Sequence, residues 1–138
     1  MAVRFYVDAD TLGLAHSLVR LRGDVTYPGD PGGTFKGIHR PPCPVGTTDV
    51  ADTVWIPIVA AAGWLVLTRD RSIARRPHEL ASVMASGARP VTISSKEKLD
   101  NWHLLEVVMT QWRRIEGVAQ LPGPFIYGAT RTSFTEIA

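Results

Sequence analysis

Arg4-Phe5-Tyr6-Val7-Asp8-Ala9-Asp10-Thr11 is the stretch that decides the fold. Its apolar run stops at an acid with no turn motif to explain it, and residues 11–22 then carry Leu12, Ala15, Leu18, Val19 and Arg22 at helical spacing, closed by Gly23. A strand is followed at once by a helix. The same unit recurs downstream: residues 24–27 read as a strand, 49–62 as a helix ending at Gly63, 64–68 as a third strand, 77–86 as a helix ending at Gly87, and 88–93 as a fourth strand. Asp100 caps a long helix whose face is Trp102, Leu105, Val108 or Met109, Trp112, Ile115 and Ala119, and which Pro122 stops. Residues 124–137 read as extended. Alternating elements with near-continuous apolar strands predict an α/β fold, a three-layer α/β/α sandwich with a mainly parallel sheet and right-handed crossovers.

The chain has 138 residues, 45% hydrophobic and 20% charged, which fits a single domain over 1–138. At this length it buries roughly two thirds of the surface its unfolded form exposes, so it needs no disulfide or structural metal to fold. Cys43, its one cysteine, has no internal partner. That count, with no apolar leader behind Met1 and no run near the ~18 residues of a membrane span, points to the cytoplasm. One segment stands apart. Residues 28–46 hold five prolines and five glycines and read as a long loop, too broken for helix or strand.

The net charge is only +2, too small to mark the whole chain as a nucleic-acid binder. Its distribution is more telling. Residues 1–68 carry five basic and six acidic side chains, residues 69–138 ten basic and seven acidic, and twelve of the fifteen basic residues are arginine. Every acid before residue 71 is an aspartate: Asp8, Asp10, Asp24, Asp30, Asp49, Asp52 and Asp70. Short carboxylates hold hard cations rigidly and guanidinium groups grip phosphate bidentately, so the pairing suits metal and phosphate chemistry. The alternative is aspartate at caps and turns.

In a doubly wound sheet, ligands bind beyond the carboxyl ends of the strands where the strand order reverses. Acids stand at those ends. The first strand delivers Asp8 and Asp10, the third delivers Thr68, Arg69, Asp70 and Arg71, and the helix after the long loop starts near Asp52 on the same side. Like charges held together raise one another's pKa, and a divalent cation removes that penalty. A Mg²⁺ or Mn²⁺ site at Asp8, Asp52 and Asp70, with Asp10 beside it, is the expectation, since hard cations prefer carboxylates and no cysteine or histidine pairing offers a softer set. Other readings exist for single members. Asp10 suits the N-cap of the first helix, and Asp49 with Asp52 suits a cap followed by a dipole-favoured acid.

Val7-Asp8-Ala9-Asp10 after a first strand, an acid in the helix before the next, and Leu67-Thr68-Arg69-Asp70-Arg71 ending it resemble the PIN domain, including its VapC-type toxins. The chain is also similar to the small PIN-like proteins of actinobacteria through Pro28-Gly29-Asp30, Pro41-Pro42-Cys43-Pro44, Val54-Trp55-Ile56-Pro57 and Pro124-Phe125-Ile126-Tyr127, so the likeness covers nearly its whole length. The resemblance implies a metal-dependent ribonuclease that cuts single-stranded or loop RNA, often the toxin of a type II toxin–antitoxin pair. By position, Asp8 matches the family's first-strand aspartate, Asp52 its central acid, and Thr68 with Asp70 its Thr-x-Asp signature. Asp10 falls where Asn or Ser is more usual. The chain departs at Ser72, where many PIN toxins carry a further acid; the next acid is Glu79, and a second ion would draw on Asp10.

The expected chemistry is in-line attack on a phosphodiester by a water that the cation activates, with Asp8, Asp52 and Asp70 holding the ion. Arg69, Arg71, Arg75 and Arg76 follow the third strand and would bind flanking phosphates, against the alternative that they are solvated surface. His39 and His78 have no required role. Two rivals come from other classes. Asp8-Ala9-Asp10 also fits the Asp-x-Asp of haloacid-dehalogenase-type phosphatases, though no lysine followed by a late acidic pair accompanies it. A receiver-like module would hold Mg²⁺ on the same acids and use a lysine near Lys96. The expected partners are RNA, a cognate antitoxin and a second copy in a homodimer, with the four tryptophans read as core or as part of such an interface.

Overall fold

The computed structural model describes residues 2–95 and 100–138. β1 (Phe5–Val7) passes through a 3-10 turn at Ala9–Thr11 into α1 (Leu12–Val19), and β2 (Val25–Thr26) follows. β3 (Gly33–Phe35) and β4 (Ile38–Arg40) precede α2 (Asp52–Ala61), β5 (Leu65–Thr68), α3 (Pro77–Ser86) and β6 (Arg89–Ile93). The chain closes with α4 (Asn101–Thr110), α5 (Trp112–Ala119), β7 (Tyr127–Ala129) and β8 (Phe134–Glu136). Six strands form one sheet in the order β2-β1-β5-β6-β7-β8, parallel throughout except for the last pair. The α/β class expected from the alternation is the observed one.

Strand periodicity builds the three layers. Phe5, Val7, Leu65, Leu67, Val91 and Ile93 face the side that α1, α4 and α5 cover with Leu14, Leu18, Leu104, Val107 and Ile115. Tyr6 and Val66 face the other side, where α2 and α3 bring Trp55, Ile56, Val59 and Val83. Strands buried on both faces have no polar alternate positions, which is why they read as unbroken apolar runs. Each large side chain so buried contributes roughly 1.5–3 kcal/mol.

Three local features differ from the sequence expectation. Segment 28–46 is not featureless, because β3 and β4 pair in it as an antiparallel hairpin. Three-residue strands are too short to show a period, and an ion pair rather than a core holds them. Arg40 donates to both Asp30 oxygens at 2.6 and 3.0 Å, while Thr26 Oγ1 and the Gly32 N–H reach the same carboxylate at 2.9 and 2.8 Å. Gly32 is required there: its φ is +82°, and a Cβ would stand 2.5 Å from the Arg40 carbonyl. The long C-terminal helix is two helices, broken at Gln111, whose side-chain amide donates to the Thr130 carbonyl at 2.8 Å and ties the break to the tail. The helix expected over 49–62 begins at Asp52, and Asp49 takes the Thr47 hydroxyl instead of capping it. Trp102 is 77% exposed, whereas Trp55 is buried and Trp112 packs on Phe5 at 4.9 Å.

Among the described residues no helix is long and apolar enough to cross a membrane. Lys96, the residue a receiver-like reading would use, lies outside the described residues.

Candidate functional site

β1 is followed by β2 on one flank and lies against β5 on the other, so the strand order reverses between β1 and β5. Asp8 and Asp70 stand at that point. The Asp8 N–H donates to the Leu67 carbonyl at 2.9 Å, extending the ladder one residue past β1 and fixing the aspartate at its end. Asp8, not Asp10, caps the following turn, with its Oδ1 accepting from the Ala9 N–H at 2.6 Å. Thr68 Oγ1 lies 3.1 Å from Asp8 Oδ2 and 3.0 Å from Asp10 Oδ2, so one hydroxyl proton serves two carboxylates. The Asp70 N–H donates to that same hydroxyl oxygen at 3.1 Å and turns its proton towards the acids. Asp70 Oδ1 in turn accepts from the Ser72 N–H at 3.0 Å.

Asp52 enters from the opposite layer as the first residue of α2, and its Oδ1 accepts from the Trp55 indole N–H at 2.9 Å. The Trp55 ring lies 5.1 Å from that of Tyr6. A cleft of about 210 Å³ results, with Tyr6, Asp8, Asp10, Asp52, Asp70 and Arg76 among its lining residues. Pro28, Val45, Thr47 and Thr48, from the chain on either side of the β3–β4 hairpin, contribute to its wall. All four aspartates singled out in the sequence therefore line one cavity. The remaining early aspartates are elsewhere: Asp24 pairs with Arg4 and Arg22, Asp30 with Arg40, and Asp49 with Thr47.

At Asp8 and Asp10 the electrostatics are those of buried like charge, offset in part by the Arg69 charge and N–H beside Asp10. Burial, then the neighbouring Asp10, push the Asp8 carboxyl up to about 7, against the opposing pull of the Ala9 N–H and Thr68. Burial raises Asp10 as well. Asp52 and Asp70 instead share a cation. Arg76 Nη2 is ion-paired with Asp70 and lies 3.6 Å from Asp52, while its Nε is 3.3 Å from Glu79. Arg69, Arg71 and Arg75 are exposed along the same loop, whereas Arg76 turns inward to the acids.

A hard divalent cation suits these donors in kind. The carboxylates are short, Asp8 and Asp10 share a single proton donor, and the buried Tyr6 hydroxyl beside them has no hydrogen-bond partner among the described residues. In number, the side chains as they stand fall short of a finished coordination sphere. Among the described residues no three of aspartate, glutamate, histidine and cysteine are gathered as one ligand group, so water would complete the sphere of an ion held by one or two of these carboxylates.

Tyr6 and Trp55 escape a reading by motif. Strand alternation was the available signal, since it sends Tyr6 to the face opposite Phe5 and Val7, under the start of α2. Burial and the Asp8 charge raise the pKa of its phenol, so it is a neutral hydroxyl. Deleting an unpaired buried hydroxyl removes no bond within the protein. Tyr6→Phe should therefore melt at the same temperature as the parent or higher, and a fall of several degrees would mean that the hydroxyl has a structural partner.

Layered α/β architecture, a strand-order reversal and an acidic cleft at the carboxyl ends of the strands place a candidate site where such sheets bind ligands. The sequence model described as a PIN like domain matches residues 4–95, more than half of the chain and a range that includes every residue of the cleft. The chain belongs to the PIN-like domain family. Comparisons with curated proteins and with solved structures each returned no match.

Proposed function

We infer that the protein is a divalent-cation-dependent ribonuclease, the toxin of a toxin–antitoxin pair. The observation that carries the chemistry is the convergence of Asp8, Asp10, Asp52 and Asp70 on one cleft of a PIN-like domain. These carboxylates would hold Mg²⁺ or Mn²⁺; when bound, the ion lowers the pKa of water and offsets charge on the phosphate. The chain's own contributions are positional. Thr68 fixes Asp8 and Asp10 through its shared proton, the Asp70 N–H fixes Thr68, and Trp55 fixes Asp52. Arg69, Arg71 and Arg75 are exposed on the loop after β5 and would take phosphates on either side of the cut bond.

The test is cleavage of single-stranded RNA by the purified protein in Mg²⁺ or Mn²⁺. Cleavage should stop in EDTA and in Asp70→Ala, with the variant retaining the circular dichroism spectrum of the parent. Activity that survives the chelator overturns the reading. Hydrolysis of p-nitrophenyl phosphate without RNA cleavage would favour the phosphatase instead. The toxin role predicts growth arrest on expression of the parent, none with Asp70→Ala, and relief by the product of a neighbouring reading frame.

A further inference from the structure

Among the described residues Arg76 is the only cationic side chain that lines the cleft, and it does so from an unusual position. It is the residue before α3, on the loop that also displays Arg69, Arg71 and Arg75 to solvent, yet its guanidinium reaches Asp70, Asp52 and Glu79. Three carboxylates share one positive charge. The side chain is 42% exposed and its partners Asp52 and Asp70 32% and 23%, so water reaches and screens these pairs, and the buried Arg76 Nε has no hydrogen-bond partner among the described residues. A guanidinium is also the side chain best matched to a phosphate, through its planar fork of donors.

We propose that Arg76 is an exchangeable counter-ion that couples cation and RNA: it occupies Asp52 and Asp70 until a divalent cation takes those carboxylates, and then turns to a phosphate of the bound strand. This rests on the cation-dependent reading above and adds an order to it. Cation and guanidinium cannot both sit between Asp52 and Asp70, because like charges would then be held at contact distance. The displaced group stays on a loop whose other arginines are exposed, so a phosphate arriving at that loop meets it. RNA that draws Arg76 outward in turn frees the carboxylates for the cation, and the linkage is reciprocal.

Calorimetric titration with Mn²⁺, alone and with a 2′-O-methyl RNA oligonucleotide that resists cleavage, tests this directly. For the parent, the oligonucleotide should tighten Mn²⁺ binding. For Arg76→Ala, Mn²⁺ alone should bind roughly fivefold or more tightly than to the parent, since the competitor is gone, and the gain from the oligonucleotide should shrink by a similar factor. Arg76→Gln, which keeps the polar end without the charge, should behave like Arg76→Ala and guards against a local packing effect of the truncation. In EDTA both variants should melt below the parent, and Mn²⁺ should close that gap. An oligonucleotide-free Mn²⁺ affinity equal to or weaker than the parent's, in variants that fold, overturns the proposal. Failure of the folded parent itself to bind Mn²⁺ is a different result, one that removes the cation reading and this proposal with it.

Discussion

Asp8→Asn should make the protein more stable above pH 7 in EDTA while reducing cation-dependent RNA cleavage by about a hundredfold or more. Both effects have one source. The folded protein holds the Asp8 carboxyl at about 7 against an ordinary value of 3.8, chiefly by burial and then by Asp10, so the native state binds the proton more tightly than the unfolded chain. Stability therefore falls as pH rises from about 4 to about 7, and above that the ionised carboxylate costs on the order of 4 kcal/mol. Asparagine keeps an oxygen for the Ala9 N–H and carries no charge to desolvate. The parent's melting temperature in EDTA should drop between pH 5 and pH 8, and the drop should be smaller in Asp8→Asn. It should not vanish, because burial raises Asp10 in the same sense. Mn²⁺ should restore the parent at pH 8 and do little for the variant. A parent melting temperature that is flat from pH 5 to pH 8 would show that Asp8 is not held in its acid form.

Arg40→Ala, at the end of β4, should cost about 3–5 kcal/mol. Asp30 and Arg40 are both buried, and Arg40 supplies two of the four hydrogen bonds that satisfy the carboxylate. Burial alone would raise the pKa of Asp30, but the Arg40 hydrogen bonds, the Gly32 N–H, Thr26 and the Arg40 charge together hold it below the usual carboxylate range. Removal of Arg40 strands a buried negative charge. Urea denaturation reads the loss, and a change under about 1 kcal/mol would mean that water reaches Asp30. The double variant Asp30→Asn with Arg40→Met should recover much of the stability, because the cost comes from the unpaired charge rather than from the absence of the pair. Cleavage should fall with the hairpin, since Pro28 and Val45 flank it and line the cleft.

How much of this was legible in the sequence depends on the range of the interactions involved. The layered sheet was legible because β1, β5 and β6 are buried on both faces and carry their signal in consecutive residues. The cleft was legible because Asp8 and Asp70 follow strands directly and Asp52 starts a helix, so topology alone brings them to one end of the sheet. The hairpin was not, because its stability comes from Arg40 meeting Asp30, ten residues away, with Thr26 from β2. The helix break at Gln111 depends on a carbonyl nineteen residues later. The inward turn of Arg76 is hidden for the same reason: the neighbouring arginines suggest solvent, and only the fold reveals three carboxylates within its reach.

Every residue lining the cleft falls between Tyr6 and Arg76, whereas α4 and α5 cover the opposite face of the sheet and β7 and β8 complete its far edge. Chemistry and cover are thus written in separate stretches of the chain. The C-terminal stretch answers to a loose requirement, an apolar face of adequate volume against Phe5, Val7, Leu65 and Leu67. Its outward surface, where Trp102 and Met109 stand in solvent, answers to none that the cleft imposes. Descendants of this chain could exchange that surface, and with it whatever they associate with, without moving a single carboxylate of the cleft.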